Sequence, residues 1–107
     1  MPVAALLTLA IAAEVAATVS LRYSEGFSKL LPSAIVVLGY ASSFYLLSLI
    51  LKQLSVGTTY AIWAGAGTAA VAVIGIVALG EPATAIKLAS IALIIAGVIG
   101  LNLSGAG

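Results

Sequence analysis

The 107-residue chain has no cysteine and no histidine, and only four basic and three acidic side chains. Without cysteine, disulfides and thiol chemistry are excluded; without histidine, the usual transition-metal ligand sets are missing as well. Neither a metal nor an organic cofactor is expected, and no enzymatic activity. A net charge of +1 supplies no basic surface for a nucleic-acid partner. Soluble domains carry about 25% charged residues, against 7% here, so little of this chain is built to face water.

Apolar residues make up 64% of the sequence, and they fall into four runs separated by the charges and turn formers. The first break is Arg22-Tyr-Ser-Glu25-Gly26-Phe-Ser-Lys29, closed by Pro32 at a position suited to starting a helix. Lys52-Gln-Leu-Ser-Val-Gly57 forms the second. Gly80-Glu81-Pro82 forms the third, with Gly80 as C-cap and Pro82 as breaker. The runs, at roughly 3–21, 33–51, 58–79 and 84–103, are each long enough to cross a hydrocarbon core of about 30 Å as a helix. The expected fold is an all-α integral membrane protein with one domain over residues 1–107, an up-down bundle with both termini on one side. The first run lacks a basic leading region and carries an acid in its centre, so it is read as a retained helix rather than a signal peptide.

That acid is Glu14, the one ionisable side chain between Val3 and Leu21. A charged residue at the centre of a membrane helix costs about 2.5–3.5 kcal/mol on insertion scales, which marks it as a functional candidate. Polar glue between helices is the plainer explanation, but no other run offers a basic partner near its centre, Lys87 standing only at the start of the fourth. At helical spacing its face holds Ala10, Ile11, Ala17 and Thr18: a carboxylate, a hydroxyl one turn away and small residues between. Tyr40 and Phe44 stand four apart in the second run, with Ser43 beside them and Leu47 a turn further; Tyr60 and Trp63 stand three apart in the third. Buried phenol and indole groups need polar partners, and the central acid is available; core packing is the alternative.

A carboxylate ringed by aromatics suits an apolar organic cation, whose charge the acid meets while ring faces add about 0.5–2 kcal/mol each. Protons compete for the same carboxylate, and a protein that reverses its facing only with a proton or a cation aboard couples the two flows. Gly65 and Gly67 weaken the third run's helix and are read as its hinge, with tight packing as the other reading. Ala96, Gly97 and Gly100 form a small-residue strip on the fourth run suited to a dimer contact. Positive residues are nearly balanced between the two sides, a weak vote for the first and third loops facing the cytoplasm that also permits antiparallel pairing.

Together, Ala13-Glu14-Val15, Ser24-Glu25-Gly26-Phe27 with Pro32-Ser33, Tyr40 with Ser43-Phe44, Gly57, Tyr60-Ala61-Ile62-Trp63-Ala64-Gly65-Ala66-Gly67, Gly97 and Asn102-Leu103 resemble the small multidrug resistance family of proton-coupled exporters. The resemblance covers essentially the whole chain. It implies an antiparallel homodimer with dual topology in a prokaryotic inner membrane, in which Glu14 of each subunit binds substrate and protons. Tyr40, Tyr60 and Trp63 would line the pocket, Thr18 and Ser43 would be polar neighbours, Gly65 and Gly67 would bend the third span, and Gly97 would join the fourth-span dimer contact. The guanidinium-exporting branch typically has a Trp soon after the glutamate and a longer Gly pattern after the third-span Trp. Ala16 and Ala17 after Glu14, and Thr68-Ala69-Ala70 after Gly67, resemble instead the branch exporting quaternary ammonium and aromatic cations. Ala4 replaces an aromatic of some multidrug members, and Arg22 stands where Lys is common. The partners expected are organic cations, protons, the lipid bilayer and a second copy of the chain. Guanidinium export is the nearest alternative, with polyamine or lipid-carrier transport behind it; the rival classes are a non-transporting membrane subunit and a proteolipid subunit of a rotary ATP synthase, which has two helices rather than four.

Overall fold

The computed structural model describes residues 2–104. Four helices follow one another: α1 (Val3–Tyr23), α2 (Leu30–Ile50), α3 (Val56–Ala78) and α4 (Ala85–Leu103). All four are long and apolar enough to cross a membrane. They exceed or shift from the expected spans by up to three residues, each time for a local reason. Helix α1 continues to Tyr23, because Arg22 in its last turn complements the helix dipole. Helix α2 starts at Leu30, which puts Pro32 in the first turn, where a missing N–H breaks no helical bond. Helix α3 starts at Val56 after Ser55, and α4 starts at Ala85 after Thr84, whose Oγ1 accepts the Lys87 N–H at 3.2 Å.

The chain divides between Gln53 and Leu54 into two compact units, the α1–α2 hairpin and the α3–α4 hairpin. In the first, the contact is made close by a glycine. A Cβ on Gly39 would stand 2.8 Å from Ala17 Cβ and 3.0 Å from the Ala13 carbonyl oxygen, so α2 rests almost directly on α1. Ala10, Ala17, Val36 and Ile50 are fully or nearly fully buried. In the second, α3 is helical throughout and Gly65 makes room for Val98 of α4, whose Cγ2 would lie 2.8 Å from a Cβ there. Leu30, Val77, Ile86 and Leu93 are exposed in the single chain, as befits side chains whose solvent is lipid.

The connections are short and internally bonded. In the first, Ser24 is buried; its hydroxyl donates to the Leu21 carbonyl at 2.7 Å and accepts the Phe27 N–H at 3.2 Å. The Ser24 carbonyl takes the N–H groups of Ser28 and Lys29 at 2.9 and 3.1 Å. Closing this loop requires left-handed backbone at Glu25, Gly26 and Phe27, with φ of 48, 73 and 66°. Only the glycine adopts that conformation freely; for the others it costs about 1–2 kcal/mol each. Phe27 is exposed and has little packing to lose. Phe27→Gly is therefore expected to stabilise the chain by about 0.5–1 kcal/mol after the gain in unfolded-state entropy is subtracted, read as a higher denaturant midpoint in detergent.

The third connection turns at Gly80, although the C-cap of α3 is Leu79 and the expected cap Gly80 is the residue after it. With φ of 72° it turns the chain so that the Glu81 N–H returns to the Gly75 carbonyl at 3.0 Å. The Glu81 side chain lies over Gly75, where any Cβ would collide with its carboxylate, and pairs with Lys87 Nζ at 3.3 Å.

A membrane carboxylate with two hydroxyls in series

Glu14 lies halfway along α1, roughly 16 Å from its start at 1.5 Å per residue. Thr18, four residues on, is on the same face, and its Oγ1 donates to Glu14 Oε1 at 2.9 Å. The close approach at Gly39 brings the next residue of α2 within reach: the Tyr40 hydroxyl is 2.7 Å from Thr18 Oγ1. Thr18 has one proton to give and gives it to the carboxylate, so in this arrangement Tyr40 is the donor to Thr18. The result is a series from Tyr40 through Thr18 to Glu14 Oε1, spanning both helices of the hairpin. The second oxygen, Oε2, is buried and has no hydrogen-bond partner among the described residues.

The aromatic stripe of α2 is also formed. Tyr40 and Phe44 stack with centroids 6.4 Å apart and planes 21° from parallel. Ser43 is completely buried and its hydroxyl has no partner among the described residues. Leu47 and Ile11 are half-buried, and Ala10 is fully buried. Ala17 is spent on the helix contact, its Cβ lying beneath Gly39. In the α3–α4 hairpin, Tyr60 and Trp63 meet with centroids 5.7 Å apart and planes tilted by 55°. Gly67 is buried on α3, whereas Ala96, Gly97 and Gly100 lie on an exposed strip of α4 with open space beside both glycines.

Tyr40 thus meets the acid through Thr18, not directly. One contributor to this geometry carries no obvious mark in the sequence: Gly39, whose missing side chain sets the helix separation; Ser24, marked in the sequence only through the family resemblance, ties the first loop through its hydroxyl. No group of three or more acidic residues suited to a metal ion occurs among the described residues.

Four apolar spans, the first carrying an acid held by a hydroxyl with an aromatic stack on the adjoining helix, define the chain as a small multi-pass membrane protein. Residues 4–94 match the family model described as Small Multidrug Resistance protein. The chain belongs to the small multidrug resistance family, and it is a multi-pass protein of the bacterial inner membrane. It is similar to the Guanidinium exporter of Escherichia coli strain K12, at 50% identity over 91 residues, which is 85% of this chain and 87% of that one. It is also similar to the Quaternary ammonium compound-resistance protein QacE of Escherichia coli, at 45% over 97 residues, 91% of this chain and 88% of that one. A third relative, the uncharacterized membrane protein YvaE of Bacillus subtilis strain 168, is 45% identical over 97 residues, 91% of this chain and 82% of that one.

Proposed function

We propose that the chain is a proton-coupled antiporter exporting hydrophobic organic cations, with protons and cation competing for Glu14. The observation that carries this reading is the mid-span carboxylate, held at Oε1 by Thr18 and buried without a partner at Oε2, with the Tyr40–Phe44 stack on the adjoining helix. An unpartnered carboxylate oxygen inside a membrane is costly to keep unless a proton or a cation visits it. Ring faces attract cations without demanding a particular shape, which fits a broad substrate class.

The working unit is an antiparallel homodimer. The exposed strip at Ala96, Gly97 and Gly100 suits close helix packing between two copies, and Gly65 and Gly67 bend α3 as the site changes facing. A monovalent cation leaving against two entering protons carries one net charge inward, which the membrane potential drives by about 2.3 kcal/mol per 100 mV. Each proton adds about 1.4 kcal/mol per unit of pH gradient.

Guanidinium export is the second reading, favoured by the likeness to the Guanidinium exporter of Escherichia coli. One experiment separates the two. Tetraphenylphosphonium added to detergent-solubilised protein is expected to release protons from the parent and none from Glu14→Gln; the same titration with guanidinium then decides the substrate class. A folded parent that releases no protons with either cation would reduce Glu14 to helix glue and overturn both readings.

A further inference from the structure

We infer that Val98 is a positioning residue: seated on the bare backbone at Gly65, it fixes how far α3 stands from α4 and so where the Tyr60–Trp63 ring pair is offered to a cation. The inference rests on the transport reading above, with these two rings among the groups that receive the cation. A Cβ on Gly65 would meet Val98 Cγ2 at 2.8 Å and Ile94 Cγ2 at 3.7 Å, so the valine fills the space that a side chain on Gly65 would take. Val98 does not turn aside freely, because a β-branched residue inside a helix has one strongly preferred χ1 rotamer. Along α4 the residues not exposed are Lys87, Ile91, Ile94, Val98 and Leu101, a single narrow face at helical spacing. Near the far end of that face Lys87 holds Glu81, whose carboxylate lies over Gly75. Helix α4 is thereby pinned to α3 at two glycines about 15 Å apart along α3.

The rings stand on the other side of α3. Trp63 and Tyr60 precede Gly65 by two and five residues, which places both on the side of the helix away from Val98. Trp63 is half-buried and Tyr60 is 59% exposed, with their centroids 5.7 Å apart. Whatever pushes α3 off α4 at Gly65 carries this pair outward, and whatever lets α3 sink onto α4 draws it back. Gly65 read as a hinge acts differently: alanine there stiffens the helix whichever residue stands at position 98, whereas a collision with Val98 is relieved by shortening Val98.

Trp63 is the only tryptophan in the chain, so its emission reports the position of α3 directly. Emission and the dissociation constant of tetraphenylphosphonium are measured on the full chain in detergent for the parent, Gly65→Ala, Val98→Ala and the double variant. Gly65→Ala is expected to shift the emission maximum and to weaken binding by about fivefold. The double variant is expected to bring the emission back and to bind within about twofold of the parent. Val98→Ala alone is expected to shift the emission in the sense opposite to Gly65→Ala. If Gly65→Ala fails to fold, Val98→Ile, one methyl larger, is set against Val98→Ala, again with shifts of opposite sense. A double variant as weak as Gly65→Ala would leave Gly65 a hinge and overturn the inference. Compensation confined to the denaturant midpoint, with Trp63 emission and binding unmoved in every variant, would overturn it too, because that is the result of packing alone. Tetraphenylphosphonium binding that survives Glu14→Gln would overturn the transport reading instead, and this failure shows before any Gly65 or Val98 variant is compared.

Discussion

Acidifying the medium is expected to weaken tetraphenylphosphonium binding by about tenfold per pH unit on the acid limb of its profile, and Glu14→Gln to flatten that profile altogether. The sign follows from competition. On the competition proposed above, a proton on Glu14 removes the charge that holds the cation, so the fraction of sites able to bind falls as pH falls. If one proton must leave for each cation bound, the dissociation constant rises tenfold per pH unit, equivalent to about 1.4 kcal/mol. If both copies of Glu14 must be deprotonated together, the slope approaches two. At high pH the profile is level, because there is no proton left to displace. The glutamine variant has nothing to titrate, and its binding is expected to be both weak and independent of pH. Glu14→Asp separates charge from placement: one methylene shorter, it keeps a sloping profile but draws the carboxylate back from the Thr18 hydroxyl. Equilibrium binding across pH measures all three proteins. A parent profile as level as that of Glu14→Gln would rule out competition at this carboxylate.

A second large effect is expected from Gly39→Ala, a substitution that ordinarily favours a helix. Here the new methyl would stand 2.8 Å from Ala17 Cβ and 3.0 Å from the Ala13 carbonyl oxygen. Backbone does not move aside as a flexible side chain does, so α1 and α2 must separate. The expected loss is about 1–3 kcal/mol of stability, as for other overpacked contacts. Separation also lengthens the Thr18–Tyr40 bond. Ala17→Gly removes one of the two obstructions and is expected to restore part of the loss when combined with Gly39→Ala, giving a coupling energy well above the few tenths expected of independent sites. Unfolding in mixed detergent micelles, run as a double-mutant cycle, measures it. Additive effects would show that the two helices are not held apart at this point.

The contrast between Thr18 and Gly39 explains what the sequence disclosed. Everything repeating along a single helix was legible: four apolar runs, the acid in the first, Thr18 four residues from Glu14, Phe44 four from Tyr40 and Trp63 three from Tyr60. Local turn chemistry at Gly80 was legible for the same reason. What was hidden depends on register between helices. Tyr40 finds Thr18 because Gly39 lies on Ala13 and Ala17, and a glycine in a run rich in small residues gives no sign of which neighbour it admits. The left-handed backbone at Glu25 and Phe27 was equally hidden, since neither residue type favours it; the Ser24 hydrogen bonds impose it. Glu81 folding back over Gly75 depends on a missing side chain six residues earlier, which helical periodicity does not register.

The two ion pairs of the connecting loops have an electrical consequence. Glu25 pairs with Lys29 at 3.4 Å and Glu81 with Lys87 at 3.3 Å. Exposed in the first case and part-exposed in the second, these pairs contribute little to stability, yet each offsets the charge of its glutamate. Among the described residues, Arg22 and Lys52 are the cations without an ion-pair partner, one beside the closed end of the α1–α2 hairpin and one at its open end. A membrane potential therefore acts on a single positive charge at each end of that hairpin, and turning the hairpin over merely exchanges the two, so for these charges the potential favours neither orientation.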